Sequence, residues 1–137
     1  MANLSRDQAQ DFLERVFRNM LDPTLEASAL GHFFSSSYVQ VANGERLDYQ
    51  GFIDHAQAVK RSLATAKVNF ERIVVDGDQI ADIHVLDATK KDGSALKMKV
   101  LAFYKLRDGK IVEVDELTHL VQGAEADRDI GYRQDEP

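Results

Sequence analysis

Residues 67–121 read KVNFERIVVDGDQIADIHVLDATKKDGSALKMKVLAFYKLRDGKIVEVDELTHLV, and three Asp-Gly pairs punctuate them at 76–77, 92–93 and 108–109. Between these pairs apolar residues recur at every second position, as in a half-buried strand. Four strand-like runs result, at 67–75, 79–89, 95–106 and 111–121. Asp-Gly between alternating runs is a strong hairpin signal, because both residues tolerate positive φ. Three successive hairpins make an antiparallel meander.

Upstream the period is 3.6. Residues 5–21 read as an amphipathic helix with Phe12, Leu13, Val16, Phe17, Met20 and Leu21 on one face. Ser5 with Gln8 three residues later makes a capping-box start. Asp22-Pro23 ends that helix and begins a second, carrying Leu25, Ala29, Leu30, Phe33 and Phe34 and closed by Ser35-Ser36-Ser37. Tyr38–Val41 reads as a short strand and Asn43-Gly44 as a turn. Asp48 caps a third helix with the stripe Phe52, Ala56, Val59 and Leu63. Helices first and strands after describe an α+β domain, the helices packed on one face of the sheet.

Composition bounds what such a domain does. The 137 residues are 44% hydrophobic and 29% charged, a globular balance sufficient for one core. The net charge of −6 argues against nucleic acid or an anionic membrane as the main partner. No apolar run approaches the roughly 20 residues of a membrane helix. With no cysteine there is no disulfide, thiolate metal site or cysteine nucleophile. MANLSRDQAQ lacks the basic and apolar regions of a signal peptide, so the cytoplasm is the expected location. The domain is placed at 1–123. The polar stretch 124–137, with AEADRD and RQDEP, reads as a loose tail or an arm reaching a partner subunit.

Two segments, FFSSSYVQVANGERLDYQGFIDHAQAVK at 33–60 and RDGKIVEVDELTHLVQG at 107–123, make the chain similar to the nuclear transport factor 2-like superfamily. Within it the chain resembles the SnoaL-like polyketide cyclase and ketosteroid isomerase branch, over roughly residues 5–123. The resemblance implies a cone-shaped, cystatin-like fold in which helices and a curved antiparallel sheet enclose an apolar ligand site. It also implies that the outer sheet face packs against a second subunit. Ala81, Ile83 and Val85 on one face of their strand, against Ile80, His84 and Leu86 on the other, agree with a sheet covered on both sides. Asp115 stands where related sequences often have tryptophan, and Val41 where many carry histidine. Glu116 falls at the acidic position of the closing strand.

Strand parity sharpens the assignment of Glu116. It shares a face with Val112, Val114 and Thr118, whereas Ile111, Glu113, Asp115 and Leu117 share the other. If that valine row faces an apolar cone, a carboxyl continuing it has a raised pKa and moves protons near neutrality; the alternative is a solvated carboxyl where the strand leaves the core. His84 interrupts an apolar strand and pairs with Glu116 as proton donor or acceptor; the bland alternative is a core histidine held by backbone or by Tyr104. Tyr38, Tyr49, His55 and Asp48 are the candidate ligand-binding residues, although Asp48 also reads as a helix cap and the tyrosines as core aromatics. No HxxxH or HxH spacing marks a metal site, and no phosphate loop, dinucleotide fingerprint or nucleophile elbow appears. The expectation is a cofactor-free isomerase, cyclase or dehydratase in which Glu116 takes a proton beside the carbonyl of a small apolar compound, in a homodimer. The rival is a non-catalytic module of the same fold that binds a small molecule or another protein.

Overall fold

Helix α1 (Arg6–Leu21) begins at Ser5, whose hydroxyl accepts from the Gln8 N–H at 3.1 Å while the Ser5 N–H donates to the Gln8 side chain at 2.9 Å. That reciprocal box satisfies two of the helix's free amides. Residues 4–130 of the chain are described by the computed structural model. Ala9, Leu13 and Val16 of α1 are buried, with Phe12, Phe17, Met20 and Leu21 packed around them.

No full second helix follows. The Asp22 carboxylate accepts from both the N–H and the hydroxyl of Thr24, at 2.8 and 2.7 Å, and turns the chain. Only a six-residue 3-10 helix forms, at Ala27–His32. Phe34 then starts strand β1 (Phe34–Ala42), so Ser35–Ser37 lie inside a strand and do not close a helix. The cause is long-range: Phe34 pairs with Ile111 near the other end of the sequence. Asn43-Gly44, both at positive φ, turns β1 into β2 (Glu45–Asp48). Asp48 caps α2 (Tyr49–Ser62) by accepting the Gly51 N–H at 2.8 Å.

The meander is β3 (Leu63–Asp76), β4 (Gln79–Lys90), β5 (Ala95–Arg107) and β6 (Lys110–Gln122). The complete sheet is mixed and six-stranded, in the order β2-β1-β6-β5-β4-β3, with β1 and β6 parallel and the other neighbours antiparallel. Register shifts between Phe70 and Arg72 and between Lys105 and Leu106 bend the long strands into a curve. The second shift also moves Ile111, which is fully buried, to the inner face that simple alternation denies it. α1 and α2 cover the concave face and complete the α+β cone.

One lysine ties the helices together. Lys60 of α2 is buried and its ammonium donates to the Asn19 and Asp22 carbonyls at the end of α1, at 2.7 and 2.6 Å. Burial lowers its pKa, and the neighbouring Asp22 works against that shift. Past β6 the chain turns at Gly123, forms a 3-10 turn at Glu125–Asp127 and packs onto its own domain through buried Asp127 and Ile130. To Ile130 the segment is thus neither loose nor reaching away; 131–137 lie outside the described residues.

Lys60→Met keeps the apolar stem and removes the donors. Urea unfolding is expected to show a loss of about 1–3 kcal/mol, the cost of leaving buried acceptors unpaired. A loss near zero would mean that water serves those carbonyls.

Candidate functional site

Three residues stand in line across the middle of the sheet. Asp82 on β4 pairs with Ala102 on β5, and Ala102 pairs with Glu116 on β6. The row continues to Ala42 on β1. Strands lie about 4.8 Å apart, so two strand spacings separate Asp82 from Glu116 with only a methyl group between. Tyr104, two residues beyond Ala102 on the same face of β5, lies diagonally beside both carboxyls.

These side chains point inward. The Asp82 side chain is wholly buried, and His84 Nδ1 donates to its Oδ2 at 2.8 Å. With Asp82 ionised, that contact requires a proton on Nδ1. The rings of Phe17 and Phe70, at 4.7 and 5.9 Å, pack against the imidazole. Asn43, in the β1–β2 turn, fixes the strand that carries Glu116. Its N–H donates to the Glu116 carbonyl at 3.0 Å, and its side chain both accepts the Thr118 N–H and donates to the Thr118 hydroxyl.

His84, Tyr104 and Glu116 open onto a cavity of about 80 Å³, with Tyr38, Gln40 and His55 as further polar lining. Apart from Thr118 the rest of the wall is apolar and includes Phe34, Phe52, Leu86, Met98 and Ile130. Burial in this wall, reinforced by the charges of Asp82 and Asp115, pushes the Glu116 carboxyl up to about 8. Burial also holds the Tyr38 and Tyr104 hydroxyls well above their ordinary range, helped by the charge of Glu116 and, for Tyr104, first by that of Asp82. Both tyrosines are therefore neutral donors at physiological pH. Tyr38 donates to Gln40 Oε1 at 3.0 Å. Tyr104 approaches Asp82 without completing a bond: its hydroxyl and Asp82 Oδ1 are buried with no hydrogen-bond partner among the described residues. Among those residues no three His, Asp or Glu side chains gather as a metal site.

Of the residues singled out in the sequence, Glu116, His84, Tyr38 and His55 meet around this one cavity. Tyr49 does not line it; a Cβ on Gly31 would lie 3.1 Å from the Tyr49 hydroxyl. Asp48 is exposed and serves α2 as its cap. His84 is held by Asp82 and not by Tyr104. Sequence reasoning missed Asp82 and Gln40. The signal was available in parity, since Asp82 shares the face of His84 and Gln40 that of Tyr38.

Residues 10–114 match the family described as SnoaL-like domain. The chain is 33% identical over 131 residues to a protein of Schizosaccharomyces pombe described only as uncharacterised, covering 96% of this chain and all of that one. Its fold is similar to that of a SnoaL-like polyketide cyclase from Agrobacterium tumefaciens, with a TM-score of 0.65, 18% identity, and coverage of 80% of this chain and 90% of the other. It is also similar to an NTF2-like protein of unknown function from Exiguobacterium, with a TM-score of 0.68, 22% identity and coverage of 79% and 98%.

The Glu116 pKa carries a stability signature. Between its ordinary value of 4.5 and about 8, the folded protein keeps a proton that the unfolded chain has released. Stability contributed by this neutral carboxyl is complete below that window and lost as pH rises through it. Glu116→Gln is neutral at every pH, so in thermal melts at pH 5 and pH 8 the melting temperature of the variant is expected to gain on the native one at pH 8. Parallel behaviour at both pH values would mean a solvated carboxyl.

Proposed function

The chain belongs to the SnoaL-like domain family of the nuclear transport factor 2-like superfamily, and from that premise we propose that its cone is the active site of an isomerase, cyclase or dehydratase that needs no cofactor and acts on a small apolar carbonyl compound. The observation that carries this reading is the convergence of a carboxyl raised to about 8 and a carboxylate-held imidazole on one apolar cavity.

The two groups divide the work by protonation state. At pH 7 a carboxyl of pKa about 8 is roughly nine-tenths protonated, so Glu116 is chiefly a donor. That reverses the role its position in the sequence suggests. The base is His84, whose Nε2 lone pair is free because Asp82 holds the proton on Nδ1. His84 removes a proton from the carbon beside the carbonyl. The C–H electron pair becomes the new C=C bond, and the carbonyl π pair moves to oxygen. Glu116 donates a hydrogen bond to that oxygen, aided by the hydroxyl of Tyr104 or Tyr38, and the imidazolium returns its proton to carbon. A neutral acid in a dry pocket stabilises developing oxyanion charge without reorganisation.

Exchange of ketone α-protons for deuterium, followed by NMR with butanone and cyclohexanone, tests this without knowledge of the natural substrate. Glu116→Gln is expected to slow exchange by roughly 10²-fold or more. Asp82→Asn, which frees the imidazole tautomer, is expected to cost at least about tenfold. The native rate should fall as pH rises through about 8, as Glu116 ionises. A rate rising through that range would make Glu116 the base, and ketones that bind but never exchange would identify a binding module.

We further propose that a second copy of the chain covers the outer sheet face. Leu101, Phe103 and Leu117 are 48, 44 and 62% exposed there, a patch typical of an interface. Arg72 lines the same shallow groove as Glu113 and Asp115, so this face carries charges of both signs that a two-fold contact can pair. Leu117→Arg is expected to convert a sedimenting dimer into a monomer; unchanged sedimentation would overturn the assignment.

A further inference from the structure

One wall of the cavity comes from outside the strand ladders and helices. β6 ends at Gln122, and Gly123, at φ 143, turns the chain back over the cone. L side chains rarely adopt that φ. A Cβ there would also lie 3.1 Å from Leu96 Cδ1 and 3.3 Å from Leu120 Cδ1, a tight fit that adds to the preference for glycine set by φ. After the Glu125–Asp127 turn, Asp127, 3% exposed, accepts the Lys90 ammonium on its two oxygens at 3.0 and 3.3 Å. Lys90 belongs to the end of β4. Three residues on, Ile130 is 4% exposed and joins the cavity lining.

The other lining residues sit on helices and strands fixed by the sheet and by core packing. This wall is a short strap. Its backbone bonds at Asp127, Arg128 and Ile130 close within the strap itself, onto Ala124, Glu125 and Asp127. Size makes it matter. The cavity of about 80 Å³ is smaller than the roughly 150 Å³ of an engineered cavity that takes benzene. Ordinary ligand sites run to about 300–1,000 Å³. With Ile130 seated, a ring bearing a carbonyl does not fit, and Ile130 is the lining residue whose segment can move without breaking a strand ladder or a helix.

We propose that Ile130 determines ligand size in this cone, as part of a displaceable strap after β6 latched by the Lys90–Asp127 ion pair. The inference rests on the reading of the cone as a site for carbonyl compounds, and it names the part of that class admitted while the strap is docked: ketones without a ring, with ring ketones entering only when the strap is aside. The affinity of any ligand that must push the strap aside is reduced by the fraction of molecules in which it is already aside. Weakening the latch raises that fraction for every ligand alike. Trimming Ile130 enlarges the site and shifts preference toward larger rings.

Calorimetric titration of the full chain with cyclohexanone, 1-tetralone and anthrone, which have one, two and three fused rings, separates these effects. Asp127→Asn is expected to tighten binding of cyclohexanone and 1-tetralone by a similar factor of about threefold to tenfold. Ile130→Ala is expected to raise the 1-tetralone to cyclohexanone affinity ratio at least tenfold. Thermal melts establish that the variants fold, and Ile130→Val carries the same test with a smaller shift should Ile130→Ala fail to fold. An unchanged ratio in the Ile130 variants overturns the proposal. So does weaker binding in both classes of variant, which would make the strap a cover that holds ligand in, or binding of no ketone by any variant. The readout is binding and not turnover, so a failed Glu116 chemistry leaves it standing, and an unchanged ring preference with α-proton exchange intact strikes the strap alone.

Discussion

The parallel pairing of β1 with β6 is the constraint on which the rest of the structure depends. The other neighbours in the sheet are consecutive strands joined in sequence order. Were β1 elsewhere, β6 would be an edge strand and Glu116 would stand at the rim of a four-stranded meander. Instead Ala42 pairs with Glu116 and Phe34 with Ile111, and the carboxyl lies well inside the sheet. The same pairing sends β2 to one edge while β3 occupies the other. Helix α2 connects β2 to β3, so it has to travel across the concave face from edge to edge. The cone is thus a consequence of strand order, and Phe52, His55 and Val59 arrive over the site because their helix has no other route.

Within that cone, small residues and charges act together. Ala102 and Ala42 flank Glu116 on either side, so no bulky neighbour pushes the carboxyl out and none shields it from Asp82. Burial and like charge then act in the same direction on its proton. Asp82 does two things at once: it orients His84 through one oxygen and raises the Glu116 pKa through its charge. One buried carboxylate therefore holds the imidazole in place and strengthens the hold of Glu116 on its proton.

The price of such a site is polar atoms buried beside an apolar core, and the fold limits it by closing the cone tightly. Lys60 seals the end of α1 at one side, and the strap carrying Ile130 seals the other. The two seals differ in kind. Lys60 binds carbonyls of a helix locked into the core, whereas Lys90 binds a side chain on a segment whose Asp127, Arg128 and Ile130 amides bond locally. Displacing the strap, as proposed, breaks the Lys90–Asp127 pair and leaves the strand ladders in place.

Much of this was legible in the residues because it is local. Asp-Gly turns between alternating runs set the four meander strands to within a few residues, and the Ser5–Gln8 box set the start of α1. The period of two was enough to align Glu116 with Val114 and Thr118 on the inner face. What failed was non-local. Residues 23–34 carry helical spacing, yet the partner of Phe34 is Ile111, and a strand pairing across most of the chain leaves no mark in a window of fifteen residues. A register shift at Lys105–Leu106 moved Ile111 to the inner face, which alternation alone does not reveal. Ile130 is one apolar residue in a polar tail, and its contact depends on how Gly123 turns. The sequence by itself therefore determined most of the elements, the turns and the residues that share a face with Glu116, since each follows from near-neighbour periodicity and backbone preference. Only the tertiary structure decided which carboxylate stands beside it, what holds His84 and what closes the cavity, because those depend on residues that approach through space and not along the chain.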